Sequence, residues 1–329
     1  MTRLLRVELR RLVSRRLVVL TMLGTLAASL LLLWGVWQTS QPMSGEELEY
    51  AEQAYQEQLA HWEEHGEEDI ALCLEDEAAE AERLGEAVDW GCEGITAPER
   101  EWFINTAPPL QDSLPGYLGM HAYLLVFAAL LIGATFSAAE LSTGAMSTWL
   151  SFEPRRLRVY ASKMLAAALG MIPVALLAVG VVVAGSALIA DHVGLAHAMT
   201  GEDWQDTAWM SLRVVGVVAL AALVGGAFGF LLRHTAAILG LGVAYLVGEQ
   251  IVTGLVPATA PWVLSTNVNG WVQHGTSYYL EECTTDATGT MCEYTEQTLS
   301  FGHSAGFLLV LTAVVVVVSA LVFRRRDAA

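Results

Sequence analysis

Residues 17–37 read LVVLTMLGTLAASLLLLWGVW, an apolar stretch without a charged side chain. A helix needs ~20 such residues to cross the ~30 Å hydrocarbon core of a bilayer, because each residue advances the helix by ~1.5 Å. The stretch is too long for a secretory signal peptide, and no A-x-A-like cleavage site follows it. We therefore interpret it as an uncleaved anchor that crosses the membrane.

Five further stretches are also predominantly apolar, and together with the first they determine the fold class. They are residues 117–139, 164–190, 208–232, 235–256 and 304–323. The chain has 329 residues, of which 54% are hydrophobic, and the apolar runs are continuous rather than alternating as barrel strands would be. The sequence predicts an all-α integral membrane protein with six transmembrane helices.

Basic residues are concentrated on one side of these spans. Fourteen of the 17 Lys and Arg residues lie in 1–16, in 155–163, at Arg233 and in the tail 324–329, whereas 30 of the 35 acidic residues lie in 38–116, 191–207 and 257–303. Because cytoplasmic flanks are enriched in Lys and Arg, we expect both termini in the cytoplasm and an acidic domain outside. The basic clusters adjoin the membrane and suit anionic lipid, so we expect lipid and no nucleic acid as a partner.

The segments outside the spans have patterns of their own. Residues 1–16 carry Leu and Arg at helical spacing, which predicts an amphipathic interfacial helix. Residues 38–116 begin with the capping-box pair Ser44 and Glu47, and apolar residues recur before and after Gly66, which predicts a short antiparallel helical hairpin. Residues 257–303 are rich in Pro, Trp and Tyr, so we expect their first half to be re-entrant in the outer leaflet.

All four cysteines lie in the expected outer segments. Cys73 and Cys92 share the first segment, and Cys283 and Cys292 share the last. An even number confined to the oxidising side predicts two disulfide bonds, each within its own segment. The other pairings, and four free thiols, remain open alternatives.

Two motifs bear on catalysis. Lys163 is the only lysine and Met164 follows it, so the chain lacks the Lys-Ser/Thr pair of a P-loop and does not bind ATP in that way. His61 to His65 read HWEEH, which matches the H-x-x-E-H pattern of zinc peptidases. Because the surrounding segment is rich in acidic residues and the sequence positions no third ligand, we prefer a solvated helix face to a zinc hydrolase and assign no metal.

Polar and small residues inside the spans suggest helix contacts. Arg213 and Glu249 lie at similar depths below the outer ends of their spans, and an ionisable residue in a span usually has a partner, so we predict an intramembrane polar pair. Alternatively, Arg213 extends its side chain to the outer interface. Gly225 and Gly229 form a G-x-x-x-G motif that favours close helix packing, within the chain or between subunits.

The most informative segment is 140–163, between the second and third spans. It contains an acid, a Thr-Gly pair, a leucine, a Pro-Arg pair and a lysine in order, at Glu140, Thr143, Gly144, Leu150, Pro154, Arg155 and Lys163. In these residues and in its topology the chain resembles ABC transporter permeases of the type-2 exporter class. That family has a basic interfacial helix, six spans and a partly re-entrant segment before the last span. The order of Thr and Gly departs from the usual pattern, and a large acidic outer domain belongs only to some members.

The resemblance implies one half of a membrane dimer, either a homodimer or a paired permease, driven by a separate cytoplasmic ATPase. ATP and magnesium would be bound by that partner, and this chain would be a transport subunit without a cofactor or enzymatic activity. Residues 148–158 would form a coupling helix, and the residues expected to couple are Glu140, Thr148, Trp149, Leu150, Phe152, Pro154, Arg155 and Arg156.

The substrate of such an exporter is not identified by the sequence. The few polar groups in the spans favour lipophilic or amphipathic cargo. Sixteen arginines to one lysine are typical of a G+C-rich genome, so we expect a bacterial plasma membrane. The alternative function is a non-transporting membrane sensor or scaffold that presents its acidic outer domain to a partner.

Overall fold

A computed structural model describes residues 2–85, 87–104, 107–195, 199–285 and 290–325. The α-helices are α1 (Thr2–Val13), α2 (Arg16–Thr39), α3 (Gly45–Leu84), α4 (Leu110–Ser142), α5 (Ala145–Phe152), α6 (Arg156–Val193), α7 (Gly201–Leu232), α8 (Thr235–Leu255), α9 (Leu264–Val272) and α10 (Phe301–Arg325). Short 3-10 helices cover Cys92–Gly94, Arg100–Trp102 and Pro257–Trp262, and strands β1 (Gly275–Thr285) and β2 (Thr290–Ser300) form one sheet. The chain divides into unit 1 (1–37, 109–280 and 296–329) and unit 2 (38–108 and 281–295).

Six helices, α2, α4, α6, α7, α8 and α10, are long and apolar enough to cross a membrane. They coincide with the six predicted stretches, so the prediction of six helices that are able to cross a membrane is confirmed. The helices α4 and α6 extend well beyond the predicted spans, because polar residues next to an apolar run can continue a helix. The prediction of an all-α chain misses β1 and β2, which are rich in Thr and Tyr, residues that favour strands.

Small residues allow α4 and α7 to pack backbone against backbone. A Cβ atom added at Gly225 would lie 2.1 Å from the carbonyl oxygen of Leu130, and one added at Gly133 would lie 2.2 Å from that of Ala222. Gly229 faces α4 in the same way. The G-x-x-x-G motif is therefore used for packing within the chain.

The amphipathic helix α1 packs against α6. Leu12 is fully buried, and a Cβ atom at Gly170 of α6 would lie 2.3 Å from its side chain. Leu5 and Leu9 pack against the same apolar core. These three leucines, which the sequence assigns to the membrane interface, therefore pack against protein.

Unit 2 is built on one continuous helix, so the predicted helical hairpin is wrong. The helix α3 begins at a capping box formed by Ser44 and Glu47 and runs for 40 residues through Gly66 to Leu84. A glycine inside a helix costs only about 1 kcal/mol relative to alanine, which is too little to break a long helix. Gly66 is also required for space, because a Cβ atom there would lie 2.7 Å from the Trp62 ring.

The predicted bond between Cys73 and Cys92 is confirmed, with the two Cα atoms 5.8 Å apart. It joins α3 to the segment that follows it, in unit 2. Cys283 and Cys292 lie outside the residues whose side chains are described.

Candidate functional site

The segment that carries the family resemblance contains the short helix α5, which is anchored on one face. Gly144 precedes it with a φ of 73°, a left-handed conformation that glycine adopts without steric cost. Met146 is buried in a cluster with side chains of α6, α7 and α10, and Trp149 and Leu150 pack at its edge. Phe152, by contrast, is 80% exposed. The helix α5 is therefore held in place by its buried face and exposes the large apolar side chain of Phe152 at its end.

The expected coupling helix is shorter than 148–158. It ends at Phe152, because Pro154 disfavours a helical conformation at the residue before it, and Glu153 is accordingly extended. The next helix, α6, begins at Arg156. Glu140 lies on α4 and Arg156 on α6, whereas Pro154 and Arg155 lie between α5 and α6. The expected coupling residues are therefore divided among three helices and this link, and those on α5 are Thr148, Trp149, Leu150 and Phe152.

A buried charge network lies beside α5, at the inner end of the spans as the sequence orients them. Lys163 on α6 is 0% exposed, and its Nζ donates a hydrogen bond to Glu8 Oε2 at 3.0 Å. The same Nζ lies 2.7 Å from Glu140 Oε2 at the end of α4. One lysine therefore joins α6 to both α1 and α4.

Two arginines of the N-terminal segment complete this network. Arg15 Nη2 donates a hydrogen bond to Glu140 Oε1 at 2.5 Å. Arg11 Nη1 lies 3.6 Å from Glu8 Oε1 and 3.9 Å from Glu140 Oε1. The Arg11 guanidinium also stacks on the Trp149 ring, 4.6 Å from its centroid, so the network contacts α5 directly.

The network changes the interpretation of several sequence features. Glu140, which the resemblance places in the coupling loop, is buried at the end of α4 and is ion-paired with Arg15 and Lys163. Glu8 was missed by the sequence analysis, although it is the only acid among residues 1–16 and could have been singled out for that reason. Three cations surround two carboxylates, and breaking such a buried arrangement is expected to be costly.

The predicted pair of Arg213 and Glu249 is not formed, and each residue has another partner. Arg213 Nε donates a hydrogen bond to the carbonyl oxygen of Val272 at 2.8 Å. Glu249 is buried, and its Oε1 accepts a hydrogen bond from the backbone N–H of Ser265 at 3.0 Å. No ion pair joins the two side chains within the part of the chain that the structure describes.

These two partners lie at opposite ends of α9. Ser265 is in its first turn and Val272 is its last residue. A carboxylate at a helix N-terminus and a cation at its C-terminus both oppose the helix dipole and satisfy backbone groups left without helical partners. No side chain of α9 itself caps its N-terminus, so Glu249 takes that role from α8, with the Tyr245 hydroxyl accepting a hydrogen bond from the N–H of Leu264.

The HWEEH segment lies on α3 in unit 2. The rings of His61 and His65 stack with centroids 4.8 Å apart, and His61 Nδ1 lies 3.9 Å from a carboxylate oxygen of Asp69. Among the described residues no three His, Cys, Asp or Glu side chains converge as a metal site would require.

Comparison with protein-family models, with curated proteins and with solved structures gave no match.

Proposed function

We propose that this chain is the transmembrane permease subunit of a type-2 ABC exporter, in which a separate cytoplasmic ATPase binds to α5. The observation that carries the proposal is that one face of α5 is buried against the spans while an aromatic side chain at its end is exposed. Its buried face is fixed on α6, α7 and α10 through Met146, while Phe152 projects from its end. An exposed aromatic side chain on a rigid support is typical of an anchor at a protein interface.

The charge network supplies a physical route from α5 to the spans. Arg11 stacks on Trp149 and also approaches Glu8 and Glu140, so a displacement of α5 would act on α1 and α4 together. Lys163 extends the contact to α6. Closure of an ATPase dimer could in this way move several spans as one body, a coupling between sites through a two-state element.

ATP hydrolysis belongs to the partner in this proposal. The only lysine of the chain is fully buried between two carboxylates, where it is unavailable to a nucleotide phosphate. Magnesium and ATP would therefore be held by the ATPase, and this chain would supply the path of an unidentified, lipophilic or amphipathic substrate.

The proposed arrangement in the membrane follows from exposed surfaces and charge. Apolar residues on α2, α8 and α10 remain exposed, which suits lipid or a second permease in a homodimer. The disulfide bond of unit 2 suits an oxidising compartment, and the basic ends of the spans suit the cytoplasm, as in a bacterial plasma membrane.

The proposal is tested by purifying the tagged chain from its native membranes in mild detergent and identifying bound proteins by mass spectrometry. We expect a protein with a Walker A motif to co-purify with the wild type and to be lost with Phe152→Asp. Ser142→Asp, which adds the same charge at a nearby exposed position outside α5, should retain it. If no ATPase is recovered with the wild type, the proposal fails and the sensor or scaffold function, favoured by the acidic unit 2, takes its place.

A further inference from the structure

Unit 2 contains an open groove between α3 and the segment 96–103. Its volume is about 580 Å³, within the range of ligand sites in proteins. The apolar lining of the groove consists largely of Pro98 and three aromatic side chains, Trp62, Trp102 and Phe103. Its polar lining includes Glu57 and His61.

The two walls of this groove are fixed to each other. Arg100 Nε donates a hydrogen bond to Glu52 Oε2 at 2.8 Å, and this bond lowers the pKa of the Glu52 carboxyl. The rings of Tyr55 and Phe103 are 5.7 Å apart, and Gly66 leaves the space that the Trp62 ring occupies. The groove is therefore formed before any ligand arrives, which reduces the entropy lost on binding.

The charge around the groove is strongly negative. Residues 38–108 contain 20 acidic residues and two arginines, a formal charge of −18, whereas the rest of the chain has 15 acidic and 15 basic residues. Both arginines are already ion-paired, Arg83 with Glu80 and Arg100 with Glu52. A ligand that enters this field is attracted if it is a cation and repelled if it is an anion.

We propose that the groove binds a cationic amphipathic peptide. The apolar side chains of the peptide would pack on Trp62, Trp102 and Phe103. Its Lys or Arg side chains would lie over the faces of these aromatic rings, and one of these cations would form an ion pair with Glu57. A small monovalent cation would fill little of the groove and would use little of the surrounding charge. This binding does not depend on the proposed function, because the groove lies wholly within unit 2.

The test is fluorescence anisotropy with the full-length chain in phosphatidylcholine nanodiscs, whose lipid carries no net charge. The probe is the fluorescein-labelled peptide KWLKKWLK, and labelled tetralysine carries the same number of lysines without apolar side chains. We expect the peptide to bind more tightly than tetralysine. Trp102→Ala should weaken peptide binding by roughly tenfold or more, because buried aromatic anchors dominate such interfaces, and Glu57→Gln should weaken it by about two- to fivefold.

Matched controls distinguish the groove from the general charge of unit 2. Trp90 is 53% exposed, similar to Trp102 at 63%, but Trp90 does not line the groove. The Trp90→Ala variant should therefore bind the peptide as the wild type does. The same is expected of Glu75→Gln, which changes an exposed carboxylate of α3 outside the groove. Trp102→Phe should retain most of the affinity, which separates loss of the aromatic wall from loss of folding. The proposal is overturned if the wild type does not bind the peptide, if tetralysine binds equally tightly, or if Trp102→Ala and Trp90→Ala behave alike.

Discussion

Replacing Lys163 with methionine should destabilise unit 1 strongly, because it removes the cation between Glu8 and Glu140. The lysine is fully buried with contacts of 3.0 and 2.7 Å, so its loss leaves two desolvated carboxylates with fewer partners. Removing one member of a buried ion pair costs about 3–5 kcal/mol, and domains of 150–250 residues lose roughly 2–4 °C in melting temperature per kcal/mol. We expect a fall of roughly 6–20 °C, measured by tryptophan fluorescence during heating in one detergent.

The matched control for Lys163→Met is Arg10→Met on α1. Arg10 is exposed, and substitutions at such positions usually change stability by at most about 0.5 kcal/mol. Combining Lys163→Met with Glu8→Gln should cost less than the sum of the two single changes, because the second removes a stranded charge. Equal melting temperatures for Lys163→Met and Arg10→Met would refute the network as a stabilising element.

Three further tests concern contacts within each of the two units. Gly225→Ala should lower the melting temperature, because its Cβ atom would lie 2.1 Å from a backbone oxygen of α4. Gly24→Ala, inside α2, has open space for its Cβ atom and should leave the melting temperature unchanged or raise it slightly, since alanine favours a helix over glycine; a fall of equal size in both variants would contradict the close contact. Glu249→Leu and Arg213→Met should each increase hydrogen exchange in α9, because each removes the side chain that hydrogen-bonds one of its ends, and unchanged exchange in both would count against that role. Reducing the disulfide bond of unit 2 should cost about 3 kcal/mol and expose residues 87–91 to proteolysis. An identical digestion pattern before and after reduction would argue against a stabilising role of this bond.

The spans could be predicted from the sequence because crossing a membrane is a local requirement. Each of the six stretches has enough apolar length by itself, whatever the rest of the chain does. The disulfide bond between Cys73 and Cys92 could also be predicted, since both residues lie in the same outer segment, 19 positions apart. The helical hairpin was wrong because a single glycine, Gly66, was treated as a break in α3.

The partners of the charged residues could not be predicted, because they depend on which helices pack together. Arg213 and Glu249 lie at similar depths within their predicted spans, which suggested a pair. In the structure each of them instead hydrogen-bonds the backbone at a different end of α9. The composition of residues 257–303 predicted only that their first half is re-entrant, and it did not predict the helix α9 whose ends these two residues contact. In the same way, Lys163 and Glu8 are separated by 155 positions and meet only because α1 folds back onto α6.

Photo-crosslinking from position 152 in native membranes tests the account most directly. With benzoylphenylalanine in place of Phe152, which is 80% exposed at the end of α5, illumination should give a crosslinked product that contains a protein with a Walker A motif. The same probe in place of Leu188, an exposed residue near the other end of α6, should not give that product. Crosslinks from position 152 that contain lipid alone, or the same proteins as those from position 188, would contradict the claim that α5 receives an ATPase.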